Sequence, residues 1–238
     1  MIRAANPNWE YRFYDDDAAG FISTNYGPRV LRYYDRINDK YGPARADLFR
    51  YLLLYKCGGA YFDIKSSPAK PLDEILLSDD RYLLSRWNNQ PGRDNPFAGW
   101  GLHPELRSAP GGEFQQWHIV AAPGHPFLKA AIERVLGNID RYDPDLHGTG
   151  FRGVLRTTGP IAYTLAIAPL LHSHQHRFAD SQHDLGFVYS IFAARNQSHK
   201  TKDTTHYKTL HEPLVVRAGP KAMFGRVRGV ILRRLGLL

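Results

Sequence analysis

An aspartate and an arginine stand three residues apart at Asp47 and Arg50, and an aspartate and a lysine stand two apart at Asp63 and Lys65. Within a helix, residues three apart share a face, so Asp47 and Arg50 can present a carboxylate and a guanidinium together. Asp63 closes a short apolar run, and the carboxyl ends of strands are where open α/β sheets bind ligands. The same spacings also describe a surface ion pair and a strand-capping aspartate. The elements that carry these side chains must decide between the two.

Pro43 precedes a run in which Leu48, Leu52 and Tyr55 recur at spacings of four and three, which predicts a helix with one apolar stripe. Gly58-Gly59 ends it, because glycine reaches the positive φ of a helix stop. Ala60 to Ile64 is rich in aromatic and branched side chains and predicts a buried strand with Asp63 and Lys65 at its polar tip. A helix thus feeds a strand whose carboxyl end carries charge.

The pattern Arg45-Ala46-Asp47-x-x-Arg50-Tyr51-x-x-Leu54-Tyr55-x-x-Gly58-Gly59-x-Tyr61-x-Asp63 resembles the sugar-binding DxD region of glycosyltransferase family 32. Relatives in that family include yeast mannosyltransferases, bacterial capsule and lipopolysaccharide transferases, and clostridial glucosylating toxins. Weaker likeness lies in Asn6-Pro7 with Glu10-Tyr11 and Asp15-Asp16-Asp17, in Gly124-His125-Pro126-Phe127, and in Thr158-Gly159-Pro160. Coverage reaches to about residue 170 and fades beyond it.

The resemblance implies a GT-A-like (Rossmann-like) α/β fold and a hexosyltransferase-like enzyme. Such an enzyme moves a sugar, with retention, from a nucleotide-sugar donor to a glycan or lipid-linked acceptor in surface polysaccharide biosynthesis. By the same resemblance, Asp47 and Arg50 hydrogen-bond the donor sugar, Tyr61 lines the nucleotide or diphosphate site, and Asp63 holds a divalent cation, Mn²⁺ or Mg²⁺. The leaving diphosphate gains negative charge, which a cation must stabilise. Lys65 occupies the family's second acidic position. It either meets the phosphate directly as a point charge or leaves Asp63 and water to hold a weakly bound metal.

The family's usual first strand, of the type Ile-Pro-Lys-x-Ile-His-x-x-Trp, is absent from the start of this sequence. A misassigned start, a truncated chain or a reduced donor pocket would each account for that. The alternative function is a degenerate member that binds a glycan without transferring sugar.

With 238 residues, 43% hydrophobic and 23% charged, the chain has the composition of a soluble globular protein with a sizeable core. The organisation expected is one transferase domain over 1–215 and a basic amphipathic tail over 216–238. The net charge of +8 favours anionic partners: nucleic acid, an acidic membrane surface or a phosphorylated substrate. That charge is spread along the chain and no nucleic-acid motif accompanies it, so nucleic acid is not the expected partner. The single cysteine, Cys57, excludes an internal disulfide framework and reads as a packing residue. No stretch reaches the roughly 20 apolar residues of a membrane span, and Met1 to Asn6 is no signal peptide. The expected location is the cytoplasm, with the tail (Lys221 to Leu238) suited to lying on the anionic cytoplasmic membrane face.

Elsewhere, Glu10 to Tyr14 alternates polar and aromatic residues and predicts a strand. Residues 17–40 predict a helix burying Phe21, Ile22, Val30, Leu31, Tyr34 and Ile37. Ser66 to Leu72 reads as a proline-marked loop, Leu72 to Leu77 as a short helix, Arg81 to Ser85 and Trp117 to Ala122 as strands, and Phe127 to Ile139 as an amphipathic helix. The loop from Asn88 to Gly112, with Trp87, Phe97 and Trp100, reads either as an acceptor lid or as local aromatic packing. Gly148 to Gly153 reads as a glycine-rich loop with Arg152 and Arg156 near a helix starting at Pro160, where a phosphate could be met. His172, His174, His176 and His183 read as a solvated loop or a metal cluster. His206 or His211 could complete the metal or diphosphate site as some relatives' late residues do, whereas Glu113, Asp180 and Asp184 read as structural or solvated carboxylates.

Overall fold

A computed structural model describes residues 2–14, 17–92, 95–191 and 207–216. The helices are α1 (Ile2–Ala5), α2 (Ala18–Arg36), α3 (Gly42–Cys57), α4 (Leu72–Ile75), α5 (Pro126–Asp140), α6 (Pro144–His147), α7 (Gly150–Thr157) and α8 (Pro160–Ile167). The strands are β1 (Gly59–Phe62), β2 (Ser67–Pro68), β3 (Tyr82–Leu84), β4 (His118–Ala121), β5 (Arg177–Phe178) and β6 (Phe187–Val188). The architecture is mixed α/β. Four strands form a central sheet in the order β1-β4-β3-β5, and β2 pairs with β6 in a separate two-stranded ribbon.

Direction within the sheet places the chemistry. β1 and β3 each run antiparallel to β4, and β5 runs parallel to β3. The carboxyl ends of β1, β3 and β5 therefore share one edge of the sheet with the start of β4. Asp63, the Ser85–Trp87 segment and the Gln116–Trp117 segment meet at that edge, and the Asp63 N–H donates to the Trp117 carbonyl at 2.8 Å.

Because strand side chains alternate between faces, the sheet separates two apolar clusters. Tyr82, Leu84, Ile119 and Ala121 face the main core with α3, α5 and α8, while Leu83 and Val120 face a second core with Trp87, Trp117 and Phe187. In the main core Tyr51 stacks on Tyr163 at 5.4 Å, and the Tyr82 and Tyr163 hydroxyls are 2.6 Å apart.

The junction between α3 and β1 shows why glycine stands there. Gly58 has φ 66°, and a Cβ on it would lie 2.6 Å from Pro123 Cδ and 2.8 Å from Pro123 N. Both the left-handed backbone and the tight approach of the β4–α5 turn exclude a side chain. The stop that glycine supplies in sequence is also what lets β1 turn into the sheet.

Several sequence expectations are corrected. Glu10 to Tyr14 is irregular, with Tyr11 and Phe13 exposed at 50% and 63% and Tyr14 packed on Phe21 and Phe49; its alternation finds no partner strand among the described residues. β1 is half-buried and ends at Phe62, leaving Ile64 exposed. α3 buries Ala44, Asp47, Leu48, Phe49, Arg50, Tyr51, Leu52 and Leu54, which is most of its circumference and not one stripe. α2 kinks at Gly27 (φ 72°) before Pro28 and buries only Ala18 and Ile22 fully, since its other apolar residues cover the core edge. Cys57 is exposed at the last turn of α3 and is not a packing residue. Ser67 and Pro68 lie in β2 instead of a plain loop.

Gly148 to Gly153 is not a loop, because α7 begins at Gly150 and the chain breaks only at Thr158-Gly159 before α8. Among the described residues, no three His, Cys, Asp or Glu side chains converge as a metal cluster. His174 and His176 pack on Phe127, and His211 is exposed. Glu113 accepts from Trp87 Nε1 at 2.8 Å and pairs with His103 at 2.9 Å, a structural role; Asp180 and Asp184 cap a turn. Asp15, Asp16, His206 and the tail beyond Val216 lie outside the described residues. No helix among the described residues is long and apolar enough to cross a membrane.

Candidate functional site

α3 delivers Asp47 and Arg50 to the underside of the sheet edge, and β1 delivers Tyr61 and Asp63 to its rim. Arg50 joins the two pairs. Its Nη1 donates to Asp63 Oδ1 and to the Gln116 carbonyl, both at 2.9 Å, and its Nη2 lies 3.4 Å from Asp47 Oδ1. Its Nε donates to the Ala46 carbonyl one turn earlier. The guanidinium lies 4.5 Å from the centre of the Tyr61 ring, and the Tyr61 hydroxyl donates to Asp63 Oδ1 at 3.0 Å. One planar cation thus spans two carboxylates and an aromatic face, a geometry that a lysine could not reproduce.

Asp47 is held from a third direction. Thr158, at the break between α7 and α8, donates its hydroxyl to Asp47 Oδ2 at 2.9 Å, and Gln116 Nε2 donates to Oδ1 at 3.2 Å. Tyr51, one turn past Asp47, donates to the Thr158 carbonyl at 3.0 Å and bonds Gln116 Oε1. The side chains of Asp47 and Arg50 are only 4% and 7% exposed, against 26% for Asp63. Asp47 and Arg50 therefore lie beneath the rim and fix Asp63, which faces solvent. Asp63 Oδ2 accepts no hydrogen bond from the described residues.

Burial raises the Asp47 carboxyl to about 6, against the lowering effects of Arg50 and the Thr158 hydroxyl. Arg50 is itself disfavoured by burial, yet Tyr61, Asp63 and Asp47 around it hold its proton more firmly than usual. Asp47 is thus an ionised group that the fold retains at a net cost. The folded carboxyl titrates above its ordinary value near 3.8. Stability is therefore undiminished below about pH 4 and falls as pH rises toward 6, by about 3 kcal/mol for this group. Asp47→Asn, which keeps an oxygen for Thr158, is expected to abolish that slope. Urea midpoints at pH 4 and pH 7.5 should show the variant matching the parent at the lower pH and exceeding it at the higher one.

Lys65 is not brought into this network. Among the described residues its ammonium donates to the Tyr189 hydroxyl at 2.7 Å and lies 4.0 Å from that ring's centre. Tyr189 in turn packs on Trp87 and Trp117 at 5.0 and 5.4 Å. With Asp63 the only rim carboxylate among these residues, they fit a divalent cation shared with a ligand's phosphate oxygens, not one that the protein holds alone.

Sequence reasoning missed Gln116 and Tyr189 altogether, and Thr158 entered only as part of a landmark. A glutamine before a strand and a tyrosine in an irregular segment give no periodic signal.

Comparison with known proteins points to the same part of the chain. Residues 1–82 match the family model described as the glycosyltransferase sugar-binding region containing DXD motif. That match covers the first third of this chain and contains Asp47, Arg50, Tyr61 and Asp63. The initiation-specific alpha-1,6-mannosyltransferase of Schizosaccharomyces pombe is 27% identical over 71% of this chain and 43% of its own length. Inositol phosphoceramide mannosyltransferase 2 of the same organism is 36% identical over 66% of this chain and 36% of its own. The chain spans less than half the length of these curated relatives. Among solved structures, PaToxG Glycosyltransferase aligns at 19% identity over 66% of this chain and 47% of that one, with a TM-score of 0.46.

Proposed function

We propose that this chain is a glycosyltransferase acting on a nucleotide-sugar donor and a glycan or lipid-linked acceptor, with retention of anomeric configuration. The observation that carries this reading is Arg50, buried and bridging Asp47 to Asp63, inside the span that matches the sugar-binding region. The buried bridge presents Asp63 at a fixed position, and fixed polar groups are what stabilise developing charge without reorganising. Asp63 offers Oδ2 to a donor sugar hydroxyl or to a Mn²⁺ or Mg²⁺ shared with the diphosphate. Bound there, such a cation would neutralise the leaving group. Asp47 and Arg50 are almost wholly buried, so their part is chiefly to hold Asp63. Tyr61 supplies a ring and a hydroxyl beside Asp63.

The relatives' names favour mannose as the sugar transferred, in place of the capsule or lipopolysaccharide hexoses of bacterial members. A location on the cytoplasmic membrane face belongs to the same proposal, since lipid-linked acceptors lie there. A second reading, a glycan-binding protein without transfer, is favoured by Lys65 at the second acidic position and its bond to Tyr189.

Donor hydrolysis separates the two. The full chain is incubated with a panel of nucleotide-sugars, nucleotide-activated mannose included, in Mn²⁺, in Mg²⁺ and in chelator. Slow release of one sugar supports transfer, and loss of that release in chelator assigns the charge role to a cation. Persistence in chelator with loss in Lys65→Ala assigns it to the lysine. A folded chain that releases no sugar under any condition refutes the transferase and leaves the binding reading.

A further inference from the structure

Where arginines leave the open surface in this fold, a carboxylate usually meets them: Arg50 has Asp47 and Asp63, Arg156 has Glu105, and Arg177 has Asp80. Arg86 is half-buried and has none among the described residues. It follows β3 at the sheet edge that also carries Asp63, two strands away in the order β1-β4-β3 and so about 10 Å along that edge. The carboxyl end of a strand is where such sheets take ligands.

The side chain is nevertheless held in one place. Its backbone pairs with Phe114 in an isolated β-bridge, and its carbonyl accepts from Gln115 Nε2 at 3.2 Å. The guanidinium carbon lies 4.7 Å from the centre of the Phe114 ring and 5.2 Å from that of Phe178, and the two centres are 6.0 Å apart. The cation therefore rests over the groove between two touching rings. Gly111 (φ 89°) closes another side: a Cβ there would lie 2.7 Å from Nη1 and 3.1 Å from Cδ. Nε is buried and has no acceptor, whereas Nη1 and Nη2, also without an acceptor among the described residues, keep contact with solvent.

That arrangement selects a ligand. Burial loosens the hold of Arg86 on its proton, and no carboxylate offsets the cost. Packing on two rings does not by itself call for a charge, since an apolar chain of the same length would cover them without being desolvated. A neutral ligand would leave the charge uncompensated and a cation would be repelled. Two outward N–H groups on one rigid, planar cation match two oxygens of one anionic group.

We infer that Arg86 is an oxyanion-binding site, separate from Asp63, whose Nη1 and Nη2 hold a phosphate or carboxylate group of a ligand. The inference goes beyond the transferase reading and stands whether or not the chain transfers sugar. Phe114, Phe178 and Gly111 act as positioning residues: they fix the plane of the guanidinium before the anion arrives, so that little side-chain freedom is lost on binding.

The test compares the full chain with Arg86→Met, which keeps a flexible apolar side chain on the two rings and removes the cation. Unfolding temperatures are followed in sodium phosphate, sodium acetate and sodium chloride at equal ionic strength. An anion bound by the folded state alone raises the parent's unfolding temperature above its value in chloride. The methionine variant should need about ten times more of the same anion, or more, for an equal rise. Without added oxyanion it should unfold no earlier than the parent, because a desolvated charge has been removed. A rise with phosphate alone assigns the site to phosphate groups, and a rise with acetate alone assigns it to carboxylates. Arg86→Lys, which keeps the charge and loses the fork, should recover only part of the response, and it decides the matter if the methionine variant does not fold. A parent that responds to neither anion beyond chloride, a methionine variant that responds as the parent does, or a lysine variant with the full response would each overturn the site.

Discussion

Arg50→Ala is expected to destabilise the folded chain by about 3–5 kcal/mol at pH 7.5, the usual cost of removing one partner from a buried ion pair. The reason is what the guanidinium leaves behind. Asp47, 4% exposed, loses the cation at Nη2 and keeps only the neutral donors Thr158 and Gln116 Nε2, and the Gln116 carbonyl loses the Nη1 donor. The loss should shrink in acid. Without Arg50 the Asp47 carboxyl moves further above the value near 6 that burial already gives it, and below that pH it is neutral and carries no charge to strand. Urea denaturation at pH 7.5 and pH 5 measures both effects. Arg50→Lys should recover only a minor part, because one ammonium cannot reach Asp63, Asp47 and the Gln116 carbonyl together. An alanine variant as stable as its parent at pH 7.5 would show that the bridge does not hold the sheet edge.

Asp63→Ala should have the opposite profile, with the fold kept and turnover lost. Its side chain is 26% exposed, and after its removal Arg50 still has Asp47 and the Gln116 carbonyl. The stability change should stay within about 1 kcal/mol. Donor hydrolysis should fall about 100- to 1000-fold, the range found when one preorganised group at the site of developing charge is removed. Asp63→Asn keeps an oxygen for Arg50 and Tyr61 but lacks the charge. Equal loss in both variants would assign the role to the carboxylate's charge, and substantial recovery in asparagine would assign it to positioning. If the alanine variant retains more than a tenth of parental hydrolysis, Asp63 is not at the reacting centre. Taken together, the two variants separate the group that holds the rim from the group that uses it.

How far the sequence reached follows from the range of each interaction. Local signals were sufficient for α3, its glycine stop, β1 and the amphipathic α5, because caps, periodicity and turn residues act within one or two turns. The same locality placed Asp47 beside Arg50. It failed at Glu10 to Tyr14, where an alternating pattern meets no neighbouring strand among the described residues, and at Gly148 to Gly153, where glycines that suggest a loop are accepted in α7. There Gly153 and Gly150 lie against the Gly148 and Lys208 carbonyls, at contact distances that leave no room for a side chain.

By itself, the sequence determined that Asp47, Arg50 and Asp63 fall near one another, since that is a property of spacing along one helix and strand. Only the tertiary structure decided their ranks. Asp47 and Arg50 are buried because α3 is covered on most of its circumference, and Asp63 is at the rim because β1 ends at the sheet's edge. Lys65 turns to Tyr189, and Thr158 and Gln116 close the bridge from 111 and 69 residues away from Asp47. Burial and long-range hydrogen bonds depend on what packs opposite, and that is not written in the spacing of the residues that receive them.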